Sequence, residues 1–220
     1  MATPEKLLSY KYTPEEYLAL ERASETKHEY LDGEIRMMAG GSPTHNQICF
    51  NTTVHLGVQI ANSSCIGYTS DQKIRTDPMD LFTYPDLTIV CGEPVFHDEN
   101  QDVILNPTVL IEVLSPRTEN YDRSTKLVRY QNIRSLSDYI LISQNRPCIE
   151  HYARQKGKAQ WLLTIETDLE AEIEIASIHA TLTLAEVYHR VTFPAAKAAL
   201  IAVDTKPPAT SRKPRRRKTR

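Results

Sequence analysis

Residues 107–115 read PTVLIEVLS, an apolar β-type run bounded by Asn-Pro and Ser-Pro with one carboxylate, Glu112, set between Leu110, Ile111, Val113 and Leu114. Burying that carboxylate charged and unpaired would cost several kcal/mol, so the strand needs a cationic partner, a metal ion or a rim position open to water. Period-two alternation puts Glu112 on one face with Leu110 and Leu114. The same alternation, applied to the strand that opens at Pro85-Asp86, puts Asp86 with Thr88 and Val90. If the two strands are neighbours, both acids converge at one edge of a sheet. Two hard oxygen ligands with a backbone carbonyl and waters suit Mg²⁺, which seldom takes a full protein cage. Lys126, on the helical stretch that follows, supplies a nearby positive charge for a developing phosphate anion. Taken singly, each residue has a plain structural explanation: a turn acid, an ion-paired glutamate, an exposed helix lysine. Their combination points to phosphodiester chemistry.

The surrounding patterns give the frame. Thr13, Pro14 and Glu16 announce a capped helix running to about Ser24. An extended segment with a tight turn at Asp32-Gly33 follows. Ser42-Pro43 opens a second helix whose Ile48, Thr52, Leu56 and Ile60 repeat every four residues. From residue 64 the pattern becomes a succession of strands: GYTSDQKIRT, LFTYPDLTIVCG and NPTVLIEVLS. DRSTKLVRYQNI returns to helical spacing with Asp122 as its predicted N-cap. SDYILIS is a central strand, PCIEHYARQ and KAQWLLTIET form a hairpin around Lys156-Gly157-Lys158, and IHATLTLAEVYHRV ends in a strand and a short helix. This order predicts an α/β fold with a mixed, curved central sheet flanked by helices.

Charge divides the chain of 220 residues. Residues 205–220 hold eight Lys/Arg and no acid, which leaves residues 1–204 at a net charge of about −10. The expectation is a single domain over 1–204 and a disordered basic tail over 205–220, suited either to phosphate attraction or to solubility. No apolar stretch is long enough for a membrane span and the start lacks a signal region, so the cytoplasm is the expected compartment. The four cysteines are far apart and read as reduced thiols; no CxxC or HExxH points to zinc. GxGxxG, Walker A and nucleophile-elbow motifs are missing, so no organic cofactor is expected.

The succession YLDGEI, SPTHNQI, YPDLTIV, LIEVLSP, YDRSTKLVRYQNI and SDYILIS resembles the Uma-two family of restriction endonuclease-like proteins, a branch of the PD-(D/E)XK nuclease superfamily. The resemblance runs from about Tyr12 to Val191 and implies a restriction endonuclease-like core with an acidic metal site at the sheet edge. By motif, Asp86 is the PD acid and Glu112 the second acid. Leu114 stands where the superfamily pattern has Lys; in this branch the lysine lies on the following helix, where Lys126 fills its place. The family pattern adds Glu29 as a further catalytic acid, with Glu34 as a weaker auxiliary. His45 matches a recurring histidine near the substrate phosphate, and Tyr130, one turn after Lys126, reads as packing support. The implied function is a Mg²⁺- or Mn²⁺-dependent DNA endonuclease. The alternative is an inactive nuclease-fold binding module that forms a homodimer or serves another nucleic-acid protein.

Overall fold

The computed structural model describes residues 10–76 and 81–193. The basic tail lies outside them. Helix α1 (Pro14–Ala23) has the predicted capping box: the Glu16 N–H donates to Thr13 Oγ1, and the Thr13 N–H donates to Glu16 Oε2. Its buried side chains are Tyr17, Leu18 and Glu21. Strands β1 (His28–Leu31) and β2 (Glu34–Met37) pair across Asp32-Gly33, both with positive φ, a conformation glycine adopts without steric cost. Helix α2 (Pro43–Ile60) buries the predicted row Ile48, Thr52, Leu56 and Ile60.

The strand-rich middle divides more finely than its sequence pattern does. GYTSDQKIRT contributes to β3 (Cys65–Thr69) and β4 (Lys73–Thr76), and LFTYPDLTIVCG contains β5 (Leu81–Thr83) and β6 (Leu87–Cys91). Between β5 and β6 stands Tyr84-Pro85-Asp86, where proline has no N–H to donate to a ladder. Short β7 (Val103–Ile104) precedes β8 (Val109–Leu114), and β9 (Asp138–Ser143), β10 (Ile149–Arg154) and β11 (Trp161–Glu166) follow. Among the described residues these strands form two mixed sheets, ordered β2-β1-β5-β4-β7 and β11-β10-β9-β8-β6-β3. A small hairpin, β12 (Glu172–Ile175) with β13 (Ala180–Thr183), leads into α5 (Leu184–Val187). The chain passes from one sheet to the other at Pro85, so β5 and β6 lie in different sheets.

The parallel pair β8–β9 needs a crossover. It includes α3 (Glu119–Tyr121), a π-helical turn (Asp122–Lys126) and α4 (Leu127–Tyr130). The helix therefore starts three residues before Asp122. That residue is no N-cap but a buried acid within the turn. Both faces of β8 are covered. Val109, Ile111 and Val113 pack with Ile48, Leu56 and Leu182, whereas Leu110 and Leu114 pack with Tyr130, Tyr139, Ile74 and Leu81. The cysteines are not all reduced, contrary to what their spacing suggests. The β3–β6 register sets Cys65 opposite Cys91, and the two form a disulfide, while Cys49 and Cys148 remain free thiols. Strand pairing, not sequence spacing, brings the bonded pair together.

Arg22 on α1 pairs with Asp98 and Asp102 in the segment before β7, and Lys73 on β4 reaches Asp102 at 3.0 Å. The hydrogen bond from Arg22, with that from Lys73, holds the Asp102 carboxyl down at about 2 against an ordinary 3.8. A depressed carboxylate stabilises the fold above its unfolded pKa and loses that contribution as pH falls through the folded one. Asp102→Asn should therefore flatten the decline of the urea midpoint between about pH 4 and 2. An unchanged acid limb would remove this clamp from the account.

Candidate active site at the junction of the two sheets

In the antiparallel β6–β8 register, Leu87 faces Ile111 and Thr88 faces Leu110. Asp86 immediately precedes β6 and lies close enough to Glu112 for its charge to act on that carboxyl. The Val113 N–H donates to Asp86 Oδ2 at 2.7 Å, fixing that carboxylate at the strand end. The first sheet supplies the next acid. With Tyr30 facing Phe82 across β1 and β5, the register brings Glu29 beside Thr83, whose hydroxyl donates to Glu29 Oε1.

Lys126 joins these acids. Its Nζ lies 3.0 Å from both Glu112 Oε1 and Glu29 Oε1 and 3.4 Å from Asp122 Oδ1. The Tyr130 hydroxyl also donates to Glu112 Oε1 at 3.0 Å, and the Tyr121 ring lies 5.6 Å from the ammonium. The local backbone explains this convergence. The Leu127 N–H reaches Asp122 O, five residues back, so the turn is wider than an α-helical one. Asp122 and Lys126 are buried on the same side of it, and Tyr130, four residues on, is buried beneath. Tyr130 thus binds Glu112 directly as well as packing beneath the lysine helix.

Glu112 is 6% exposed and Lys126 5%. Burial first, and then the neighbouring Asp122, Asp86 and Glu29, drive the Glu112 carboxyl well above its ordinary 4.5 despite the opposing pull of Lys126. Burial opposes the Lys126 charge, yet Glu112, Glu29 and Asp122 together hold its ammonium well above 10.5. Asp122 is raised by burial, again against Lys126. These directions agree. Among the described residues, Glu29, Glu112 and Asp122 surround one lysine and Asp86 adds its charge beside Glu112, so positive charge is favoured here and additional negative charge is not. A divalent cation with hard oxygen ligands fits such a donor set.

His45 approaches from the first turn of α2. Ser42 Oγ caps that turn, accepting from the His45 N–H at 3.1 Å and donating to Gln144 Oε1 at 2.7 Å. Gln144 Nε2 donates in turn to the Leu114 carbonyl, tying the helix start to the end of β8. His45 Nε2 is 3.2 Å from Asp86 Oδ2, and Nδ1 is 3.5 Å from Cys49 Sγ. Burial works against the imidazolium, but Asp86 and the Val113 backbone together raise its pKa. The structure thus brings together Glu29, Asp86, Glu112, Val113, Lys126, Tyr130 and His45. Glu34 stands apart, exposed on β2 and paired with Arg36 at 2.7 Å. Sequence reasoning missed Thr83, Asp122 and Cys49 as members of the cluster. The four-residue step from His45 to Cys49 was the one visible signal for the last.

The raised Glu112 carboxyl carries a stability consequence. A group whose folded pKa is raised stabilises the fold below its unfolded pKa and loses that contribution as pH rises toward the folded value. Glu112→Gln should be more stable than the native chain at pH 8 in urea denaturation, with the difference shrinking toward pH 4.5. Equal stability at both pH values would contradict the acid surplus.

Comparison with known proteins agrees with this architecture. Residues 14–185 match the Uma2 family model, described as "Putative restriction endonuclease". The Synechocystis protein sll1609 is 35% identical over 164 residues, covering 74% of this chain and 92% of its own length. A second Synechocystis protein, slr1290, is 32% identical over 183 residues, covering 83% and 94%. The crystal structure of "a putative nuclease belonging to DUF820" from Anabaena variabilis shares the fold, with a TM-score of 0.66 at 17% identity over 80% of this chain and 97% of that one. The family match contains every residue of the cluster, from Glu29 to Tyr130, and the chain belongs to the Uma2 family.

Proposed function

We propose that the chain is a metal-dependent nuclease that hydrolyses phosphodiester bonds in DNA. The observation that carries this reading is a buried Glu112 that feels the charge of Asp86, itself held by the Val113 N–H, with the Lys126 ammonium 3.0 Å away. The family description and the structural neighbour's title name the same class of activity.

Asp86 and Glu112, with the Val113 carbonyl, are the residues that would hold Mg²⁺ or Mn²⁺. When bound, such an ion polarises a phosphoryl oxygen and lowers the pKa of a bound water. The protein's own groups do the remaining work. Lys126, kept protonated by Glu29, Glu112 and Asp122, presents a fixed positive charge where the scissile phosphate gains negative charge. Tyr130 holds Glu112 in place through its hydroxyl, and Val113 N–H with His45 orients Asp86. The acidic body repels a polyanion, so the Lys/Arg-rich residues 205–220 are the proposed source of sequence-independent phosphate attraction.

With Mg²⁺ or Mn²⁺ the full chain should nick supercoiled plasmid DNA, and Asp86→Asn should abolish the nicking. Lys126→Gln should slow it by roughly 10²–10³-fold, the scale of losing one group that stabilises transition-state charge, while ion-induced thermal stabilisation remains. Nicking that survives Asp86→Asn would overturn the assignment. Removing residues 205–220 should weaken DNA affinity and flatten its salt dependence; affinity unchanged across a salt series would leave the tail without a part in binding.

A further inference from the structure

Asp86 faces a second set of ligands besides Glu112. The His45 ring, the Cys49 thiol and the Asp86 carboxylate each offer one ligand atom, and the three atoms lie within 4.8 Å of one another. They come from one helix face and one strand start: His45 and Cys49 stand four residues apart on α2, and Asp86 immediately precedes β6. The composition of the set matters. Oxygen ligands alone suit Mg²⁺, whereas imidazole plus thiolate plus carboxylate selects a borderline or soft ion. Zinc accepts all three donor types, at about 2.0–2.1 Å for nitrogen, 2.0–2.2 Å for oxygen and 2.3 Å for sulfur, commonly with water in the fourth position.

The surroundings hold these groups where they are. Ser42, Gln144 and the Leu114 carbonyl pin the first turn of α2 to the end of β8. Gly41 adds a steric condition: a Cβ there would come within 2.6 Å of His45 Nδ1, so the lack of a side chain leaves room for the ring. All three residues are partly accessible, which leaves an entry path for an ion.

We propose that His45, Cys49 and Asp86 form a binding site for a thiophilic divalent cation of the zinc type, distinct in its ligands from the Asp86–Glu112 oxygen site. The two sites share one carboxylate. If the nuclease reading above is correct, on which this corollary rests, an ion held by His45 and Cys49 competes for Asp86 and inhibits hydrolysis.

Cobalt(II) is the probe, since a cysteine–cobalt bond gives a near-ultraviolet charge-transfer band and low-coordinate cobalt gives intense visible bands. The full-length chain titrated with Co²⁺ should show both, and Zn²⁺ should bleach them. Cys49→Ser should lose the charge-transfer band, whereas Cys148→Ser, which changes the other free thiol, should keep it. Gly41→Ala retains every ligand and should weaken cobalt binding by about 10-fold or more, as expected when a ligand's support is disturbed. No thiolate band in the native chain, or a band that survives Cys49→Ser, would overturn the site. The corollary has its own readout: Zn²⁺ added to the Mg²⁺-supported nicking assay should inhibit the native chain at least tenfold more strongly than Cys49→Ser. Equal inhibition removes the competition. Absence of nicking under every metal instead counts against the nuclease reading, with the cobalt spectrum still deciding the site.

Discussion

The pairing of β6 with β8 is the constraint on which the arrangement depends. Six consecutive residues of β8 are buried, and one of them is a glutamate. An unpaired charge at that depth would cost several kcal/mol, enough to consume much of the marginal stability of a domain this size. The fold answers with Lys126 and Tyr130 from the crossover helix. Glu29, from the first sheet, competes for the same ammonium, and Asp86, just before β6, adds a further negative charge. The break at Pro85 sets these positions, because β5 and β6 must part company for Thr83 to serve Glu29 and Asp86 to act on Glu112.

The compensation is incomplete. A pocket shaped only for stability would match acids to cations or replace both with apolar side chains of similar volume. Here burial and the surrounding acids push the Glu112 carboxyl upward even with an ammonium at 3.0 Å. The π-helical turn belongs to the same pattern, since such turns interrupt helices chiefly where side chains must be aimed. The resulting site is short of positive charge, which on the proposed reading a divalent ion supplies.

Much of this was legible in the sequence where local physics decides. The capping residues Thr13 and Glu16, the four-residue row in α2, the Asp32-Gly33 turn and the hairpin about Gly157 depend on neighbours in the chain, and each appears as its pattern indicates. Asp86, Glu112 and Lys126 stood out because charge inside or beside apolar strands demands an explanation, and the family resemblance added Glu29 and His45. What escaped depends on register between distant segments. Cys65 meets Cys91 because β3 and β6 align them, and Thr83 meets Glu29 because β1 and β5 do. Asp122 looked like a helix cap because a polar residue at a helix start and a buried acid inside a π-turn have the same local sequence. Cys49 lies one helical turn from His45, but its relation to Asp86 appears only once α2 is docked on the sheet.

On the proposed reading, the Asp86–Glu112 pair accepts a hard divalent cation while Lys126 remains beside it. A crystal of the full chain grown with Mn²⁺ and measured at a wavelength that reveals anomalous scattering tests this most directly. The expected result is a manganese peak between Asp86 and Glu112, with the Lys126 ammonium still in contact with Glu29. A structure in which the two carboxylates point apart and bind no manganese, with Lys126 alone satisfying Glu112, would contradict it.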